Sequence, residues 1–191
     1  MVGLGNPGTD LASTRHNVGA EAVELLARRR GLKLKSEKGT RALVATFREL
    51  GPRDGKLVVV AVPLTYMNES GLAAAALVRR FGIGDLAQLV VVHDELDLPP
   101  GRVKVKLGGG TAGHNGLKSL HAHLHGDGYL RVRIGIGKPP GRRQGVDHVL
   151  GRPSRDEREV LDGAIEVAAD ALEMIAAEGA EVTMNTYNAE P

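Results

Sequence analysis

The stretch VGLGNPG, residues 2–8, places Gly3, Gly5 and Gly8 at the spacing G-x-G-x-x-G. Its reading decides between a dinucleotide-binding fold and another kind of α/β protein. A dinucleotide loop needs a strand before it and a helix opening directly after it, so that the helix N-terminus meets the pyrophosphate. Here Pro7 removes an amide donor between the second and third glycines and fixes its own φ. The helical pattern starts only near Asn17. The acidic residue expected about 20 positions on, at a second strand's end, is absent, since Glu21 and Glu24 fall inside a helix. The stretch therefore reads as a turn that presents Asn6 at the carboxyl end of a short strand, where α/β sheets build their sites.

Outward from that turn, residues 17–30 carry Val18, Ala22, Leu25 and Leu26 at helical spacing, and Gly31 stops the helix. Residues 43–47 and 57–62 are strand-like, and GPRDG (51–55) between them predicts a hairpin. Asn68 or Ser70 caps a helix running to Arg80. LVVV (89–92) suits a strand buried on both faces. Val103, Val105 and Leu107 alternate with Arg102, Lys104 and Lys106, and LRVRIGIG (130–137) alternates again, with a helix over 116–125 between them. Ser154 and Glu157 form a capping box ahead of a helix with Val160, Leu161, Ile165, Ala168, Leu172 and Ile175 on one side. Strands mixed with helices, including a hairpin, predict a single α/β domain over 1–191, with a twisted mixed β-sheet flanked by helices.

Composition narrows the chemistry. With 42% hydrophobic and 25% charged residues the chain is an ordinary globular one. No apolar run is long enough for a membrane span, and no basic-then-apolar leader opens the sequence. The absence of cysteine excludes disulfides, thiolate nucleophiles and Cys-based zinc sites, and fits the cytosol. The net charge of +2 hides an asymmetry: residues 1–150 hold 22 Lys/Arg and 13 Asp/Glu, and residues 151–191 hold 3 and 10. A basic body suggests a polyanionic partner, and the acidic end reads as a separate, solvated helix.

Polar groups gather in TRHN (14–17), MNESG (67–71), HDELDLPPG (93–101) and GGGTAGHNG (108–116), each at an element's end. None of the five serines sits in a nucleophile elbow, so water activated by a general base is the favoured nucleophile. His is the natural base, and a carboxylate on its other ring nitrogen fixes its tautomer. His16 and Asp94 are the candidates. Read one at a time, they are as well explained as a solvated helix-start residue and a turn former. His121, His123 and His125 read as a solvated helix face, since no carboxylate cluster accompanies them. Lys104, Lys106, Arg131 and Arg133 form a basic strip if their strands are neighbours, able to hold phosphates without reading sequence.

Taken together, VGLGNPG, TRHNVG, YMNESG, HDELDLPPGRVKVKLGGG, GHNGLKS and RVRIGIGKP resemble, in order and over almost the whole chain, the bacterial peptidyl-tRNA hydrolase family. The resemblance implies a cytoplasmic, monomeric hydrolase without metal or cofactor and with no obligate protein partner. Such an enzyme cleaves the ester between a peptide and the 3′ end of tRNA and recycles tRNA from aborted translation. It implies His16 as the base and Asp94 as its orienting partner. On the same resemblance Asn6 corresponds to the residue that discriminates peptidyl-tRNA from aminoacyl-tRNA, and Asn68 and Asn115 to the amides that bind the substrate backbone and terminal nucleotide and hold water and oxyanion. Tyr66 and Met67 resemble cleft walls, Lys106 and Arg133 resemble a clamp on the tRNA 5′-phosphate, and Gly113 and His114 match a gate loop. Leu11 stands where the family usually has an aromatic residue, and Ala112 stiffens a gate where glycine is common. A noncatalytic RNA-binding protein on the same scaffold and a metal-dependent hydrolase are the alternatives.

Overall fold

The computed structural model describes residues 1–50, 55–139 and 145–189. Seven strands form one mixed sheet: β1 (Val2–Gly3), β2 (Lys35–Glu37), β3 (Ala42–Glu49), β4 (Lys56–Pro63), β5 (Val90–Glu95), β6 (Val103–Leu107) and β7 (Leu130–Gly135), in the order β2-β3-β4-β1-β5-β7-β6. The central four, β4-β1-β5-β7, run parallel, and antiparallel strands flank them on both sides. The expected hairpin is β3 with β4, in register from Ala42↔Pro63 to Glu49↔Lys56; positions 51–54 of its connection lie outside the described residues.

Helices cover both faces. α1 (Val18–Arg29) and α5 (Arg155–Glu178) pack on one side through Val18, Leu26, Leu161 and Leu172 against Val60, Val92 and Val132. α2 (Ser70–Arg80) and α3 (Asn115–Leu124) cover the other through Leu77, Leu117 and Leu120 against Leu4 and Val91. The short α4 (Gly145–Val149) precedes α5, and α6 (Ala180–Asn188) lies along β6. The Ser154–Glu157 capping box starts α5 as expected, a device worth about 1 kcal/mol. Among the described residues no helix is long and apolar enough to cross a membrane.

The acidic end is not a separate solvated helix. Residues Leu161 to Ala176 on the inner face of α5 are core, and its carboxylates pair with arginines of α1 and of its own first turns. Glu166, Asp170 and Glu173 meet Arg29, Glu173 also meets Arg30, and Glu21 of α1 meets Arg158. Half-exposed pairs of this kind contribute little stability each. Their effect is on the charge map: the negative charge of α5 is largely spent inside the molecule.

Two glycines bring the elements into reach of one another. A Cβ on Gly3 would stand 2.3 Å from the Gly19 carbonyl oxygen, and one on Gly19 would stand 2.3 Å from that of Val92. Only bare backbone permits this approach. It seats the start of α1 directly on β1 and β5, and so delivers residue 16 to the carboxyl end of β5.

Candidate active site

The carboxyl ends of β1, β4 and β5 lie side by side, and three of the polar stretches emerge there. His16 sits in a 3-10 turn (Arg15–Asn17) that leads into α1, and Asp94 is the fifth residue of β5. His16 Nδ1 lies 2.7 Å from Asp94 Oδ1, and both side chains are buried, so residues 78 positions apart form one unit. Arg15 staples the turn from the other side, donating to the carbonyls of His148 and Gly151 and pairing with Glu157 at 2.8 Å.

A second imidazole reaches the same carboxylate oxygen. His114 caps α3, and its Nδ1 accepts from the amides of Gly116 (3.1 Å) and Leu117 (3.3 Å). Nδ1 is therefore unprotonated, the ring proton is on Nε2, and Nε2 donates to Asp94 Oδ1 at 2.9 Å. With both nitrogens committed, His114 is not free to take a proton from water. His16 is different: Nδ1–H donates to Asp94, and Nε2 has no hydrogen-bond partner among the described residues. Burial alone would raise the Asp94 pKa, but the imidazoles of His114 and His16 outweigh it and hold the carboxyl well below its ordinary range. Asp94 is thus a fixed negative charge behind His16.

The pair opens onto a cavity of about 440 Å³, lined also by Asn115, Thr111–Gly113 of the loop before α3, Val146 and Val149. Asn6 stands on the adjoining loop. Its Oδ1 accepts from the Met67 amide at 2.8 Å, which fixes the amide's orientation and leaves Nδ2 with no partner among the described residues. Asn17, which has no place among the candidates read from sequence, holds Asn6 by two reciprocal bonds of 2.9 Å. Tyr66 and Asn68 are exposed beside this loop. Met67 is not an exposed wall: its side chain is 4% exposed and belongs to the core under α2 and α3, and only its backbone serves Asn6.

The basic strip forms, but not as expected. β6 and β7 are neighbours, with Lys104 opposite Arg133 and Lys106 opposite Arg131. Lys106 is exposed, whereas Arg133 is tied to Glu95 at 3.0 Å and Arg131 is 3% exposed. Lys106 and Arg133 share a sheet face as diagonal neighbours, a separation a bridging phosphate can span. Lys106 stands three residue levels below Asp94, about 10 Å along the strands.

His16, Asp94 and His114 form the one group among the described residues that could hold a metal ion. Their N···O gaps of 2.7 and 2.9 Å are hydrogen-bond lengths, and two ligands on a tetrahedral cation would stand about 3.4 Å apart. His121, His123 and His125 do not converge. His121 turns to the Tyr129 ring, His123 donates to Ser119 O, and His125 lies past the end of α3.

The loop before α3 carries strain at one residue. Thr111 to His114 is closed by a 2.8 Å backbone bond, and Ala112 (φ 46°) and Gly113 (φ 83°) both have positive φ, the pattern of a type I′ turn. Alanine is poorly suited to that position. Ala112→Gly is expected to raise unfolding stability by about 0.5–1 kcal/mol and Ala112→Val to lower it, both read by urea unfolding. A lower stability for the glycine variant would show that the turn is not strained.

The arrangement has counterparts among known proteins. The sequence profile described as "Peptidyl-tRNA hydrolase" matches residues 1–191. The peptidyl-tRNA hydrolase of Mycolicibacterium vanbaalenii is 46% identical over 99% of this chain and 96% of its own. That of Frankia alni is 48% identical over 99% and 93%. The crystal structure of peptidyl-tRNA hydrolase from Acinetobacter baumannii superposes with a TM-score of 0.88 at 37% identity, covering 98% of this chain and 93% of that one.

Proposed function

The chain belongs to the peptidyl-tRNA hydrolase family, and from that premise we propose that it hydrolyses the ester joining a peptide to the 3′ end of tRNA, with water activated by His16 and no metal ion. The observation that carries the mechanism is the buried 2.7 Å contact between His16 and Asp94.

In this reading a water molecule bonded to His16 Nε2 loses its proton to the ring as its oxygen attacks the ester carbonyl. Asp94 fixes the tautomer and stabilises the imidazolium that forms; it takes no proton itself. The carbonyl oxygen becomes an oxyanion, for which the side-chain amides of Asn115 and Asn68 are the proposed donors. Collapse breaks the C–O bond, the imidazolium returns its proton to the departing ribose oxygen, and free tRNA and peptide acid leave. An ester needs less assistance than an amide, which suits a site with one base and neutral amide donors.

Asn6 is assigned the choice of substrate. Its free Nδ2 is a donor, which suits a peptide carbonyl oxygen. An aminoacyl-tRNA offers an ammonium group instead, and two donors facing each other repel. Lys106 and Arg133 are assigned the terminal phosphate of the tRNA. Tyr66 is assigned the cleft wall, a role that for Met67 is confined to its backbone. The enzyme on this reading works as a monomer in the cytoplasm, where stalled translation supplies its substrate.

Incubating the protein with peptidyl-tRNA in excess EDTA tests the proposal. Release of tRNA at the same rate with and without chelator is the expected result. Binding without release favours a noncatalytic RNA-binding protein, and loss of activity restored by a divalent ion favours a metal-dependent hydrolase.

A further inference from the structure

We propose that Arg131 and His93 are positioning residues that fasten one end of the 108–114 loop to the backbone of Asp94. The inference rests on the hydrolase reading above and assigns a role to two buried residues that it leaves unused.

The chain of contacts is continuous. Arg131 Nη1 donates to the carbonyl oxygens of Gly110 (2.8 Å) and Gly109 (3.3 Å). Its Nε donates to His93 Nε2 at 3.1 Å, and His93 Nδ1 lies 2.6 Å from the Asp94 carbonyl oxygen. Every direction is forced. A guanidinium only donates, so His93 Nε2 is an acceptor, the ring proton is on Nδ1, and Nδ1 donates to Asp94 O. Burial, with His114 and Arg131 close by, pushes the His93 pKa well down, so the ring stays neutral and keeps this tautomer. His93 and Arg131 are 1% and 3% exposed.

The topology gives the contacts their meaning. β6 runs antiparallel to β7 and ends opposite Leu130, next to Arg131, whereas His114 at the start of α3 reaches Asp94. The 108–114 loop must therefore cross the sheet face from one level to the other, and the ring of His114 at its far end stands 5.2 Å from that of His93, edge to face. Its near end is held by Arg131 and, through His93, by the main chain of Asp94. Its far end is held by His114 on the Asp94 side chain. Both ends converge on one residue, and the strained Ala112–Gly113 turn lies between them. Any shift of the loop thus acts on the residue that aims His16.

The same geometry removes Arg131 from the RNA-binding strip, because its donors point inward to two carbonyls and an imidazole. The experiment compares Arg131→Gln, His93→Asn, His93→Gln and Lys106→Gln by steady-state hydrolysis of peptidyl-tRNA over a range of salt, with amide hydrogen exchange of the loop. His93→Asn keeps a donor near the Nδ1 position and loses Arg131. His93→Gln keeps an acceptor near the Nε2 position and loses Asp94 O. If the contacts act as a relay, Arg131→Gln and both His93 variants lower kcat by roughly tenfold to a hundredfold, the scale of a small misplacement of reacting groups. Arg131→Gln combined with His93→Asn lowers it no further, and Arg131→Gln and His93→Asn each speed exchange at residues 109–114.

The salt dependence of KM stays as in the wild type for Arg131→Gln, while Lys106→Gln reduces its slope by about one. Wild-type kcat in Arg131→Gln, or a reduced salt slope with unchanged exchange, overturns the proposal and returns Arg131 to the phosphate strip. Should Arg131→Gln fail to fold, the kcat of His93→Asn, nearly isosteric at the ring's first nitrogen, decides in its place: a tenfold or larger loss supports the relay and a wild-type value overturns it. An inactive wild type would sink the hydrolase reading instead, so the two failures are distinct.

Discussion

His16→Ala is expected to lower kcat for tRNA release by roughly 10²- to 10⁴-fold, the range a positioned general base supplies. Binding of peptidyl-tRNA, measured at equilibrium, should remain near wild type. The separation follows from where the residue sits. His16 is 6% exposed and lines the cavity, and on the proposed mechanism the single nitrogen it offers there meets the attacking water. The contacts proposed to carry affinity, at Lys106, Arg133 and the Asn6 loop, lie on other elements.

The variant also tests the neighbouring ring. His114 stands 4.8 Å from His16, centroid to centroid, and shares Asp94 with it. If His114 were the base, His16→Ala would leave much of the activity. The geometry argues against that, because the His114 Nδ1 lone pair is occupied by two backbone amides and its proton by Asp94. The space left by the missing imidazole adjoins the cavity, so added free imidazole should restore part of the rate. Near-normal kcat in His16→Ala would reject the base assignment outright.

Of the parallel core, β5 was legible, because the apolar run at 89–92 suits a strand buried on both faces; 57–62 read only as a hairpin strand, and the parallel pairing of β4, β1, β5 and β7 is seen in the fold alone. β2 was not legible. Lys35–Glu37 is a polar edge strand, held by pairing with Val44, Leu43 and Ala42 rather than by burying anything. α6 escaped for a related reason, having Thr183 as its one buried residue. In the site, His16 and Asp94 each looked ordinary alone; base-and-carboxylate chemistry made them candidates, the family resemblance implied their roles, and the fold joins them across 78 positions. Arg131 misled because alternation on β7 predicts a wet face, and nothing local in sequence says that the loop before α3 crosses that face. Asn17 read as a helix-start residue, but its amide turns back to grip Asn6. Summed charge misled in the same way at α5, since a total does not reveal which carboxylates have arginines waiting on α1.

Asp94→Asn should separate charge from geometry at the centre of the site. Both imidazole N–H groups donate to the same oxygen, Oδ1. An asparagine that keeps its oxygen there retains both bonds and loses only the negative charge. Asp94→Ala is a poorer probe, because it strands two buried donors at about 1–3 kcal/mol each and mixes unfolding with catalysis. For the asparagine variant kcat should fall by at least about 10²-fold, and by up to about 10⁴-fold, the loss seen when a carboxylate behind a catalytic imidazole is replaced by its amide. The acid limb of stability should change with it. The folded pKa of Asp94 is depressed by His114 and His16 against the opposing effect of burial. A carboxyl of that kind stabilises the native state above its unfolded pKa, near about 3.9, and the contribution is lost as pH falls through the folded value. Unfolding free energy should therefore drop more steeply below about pH 4 in the wild type than in Asp94→Asn, as urea titrations at stepped pH would register. If kcat in the variant stays within a few-fold of wild type, the imidazolium needs no countercharge, and Asp94 does no more than hold two rings in place.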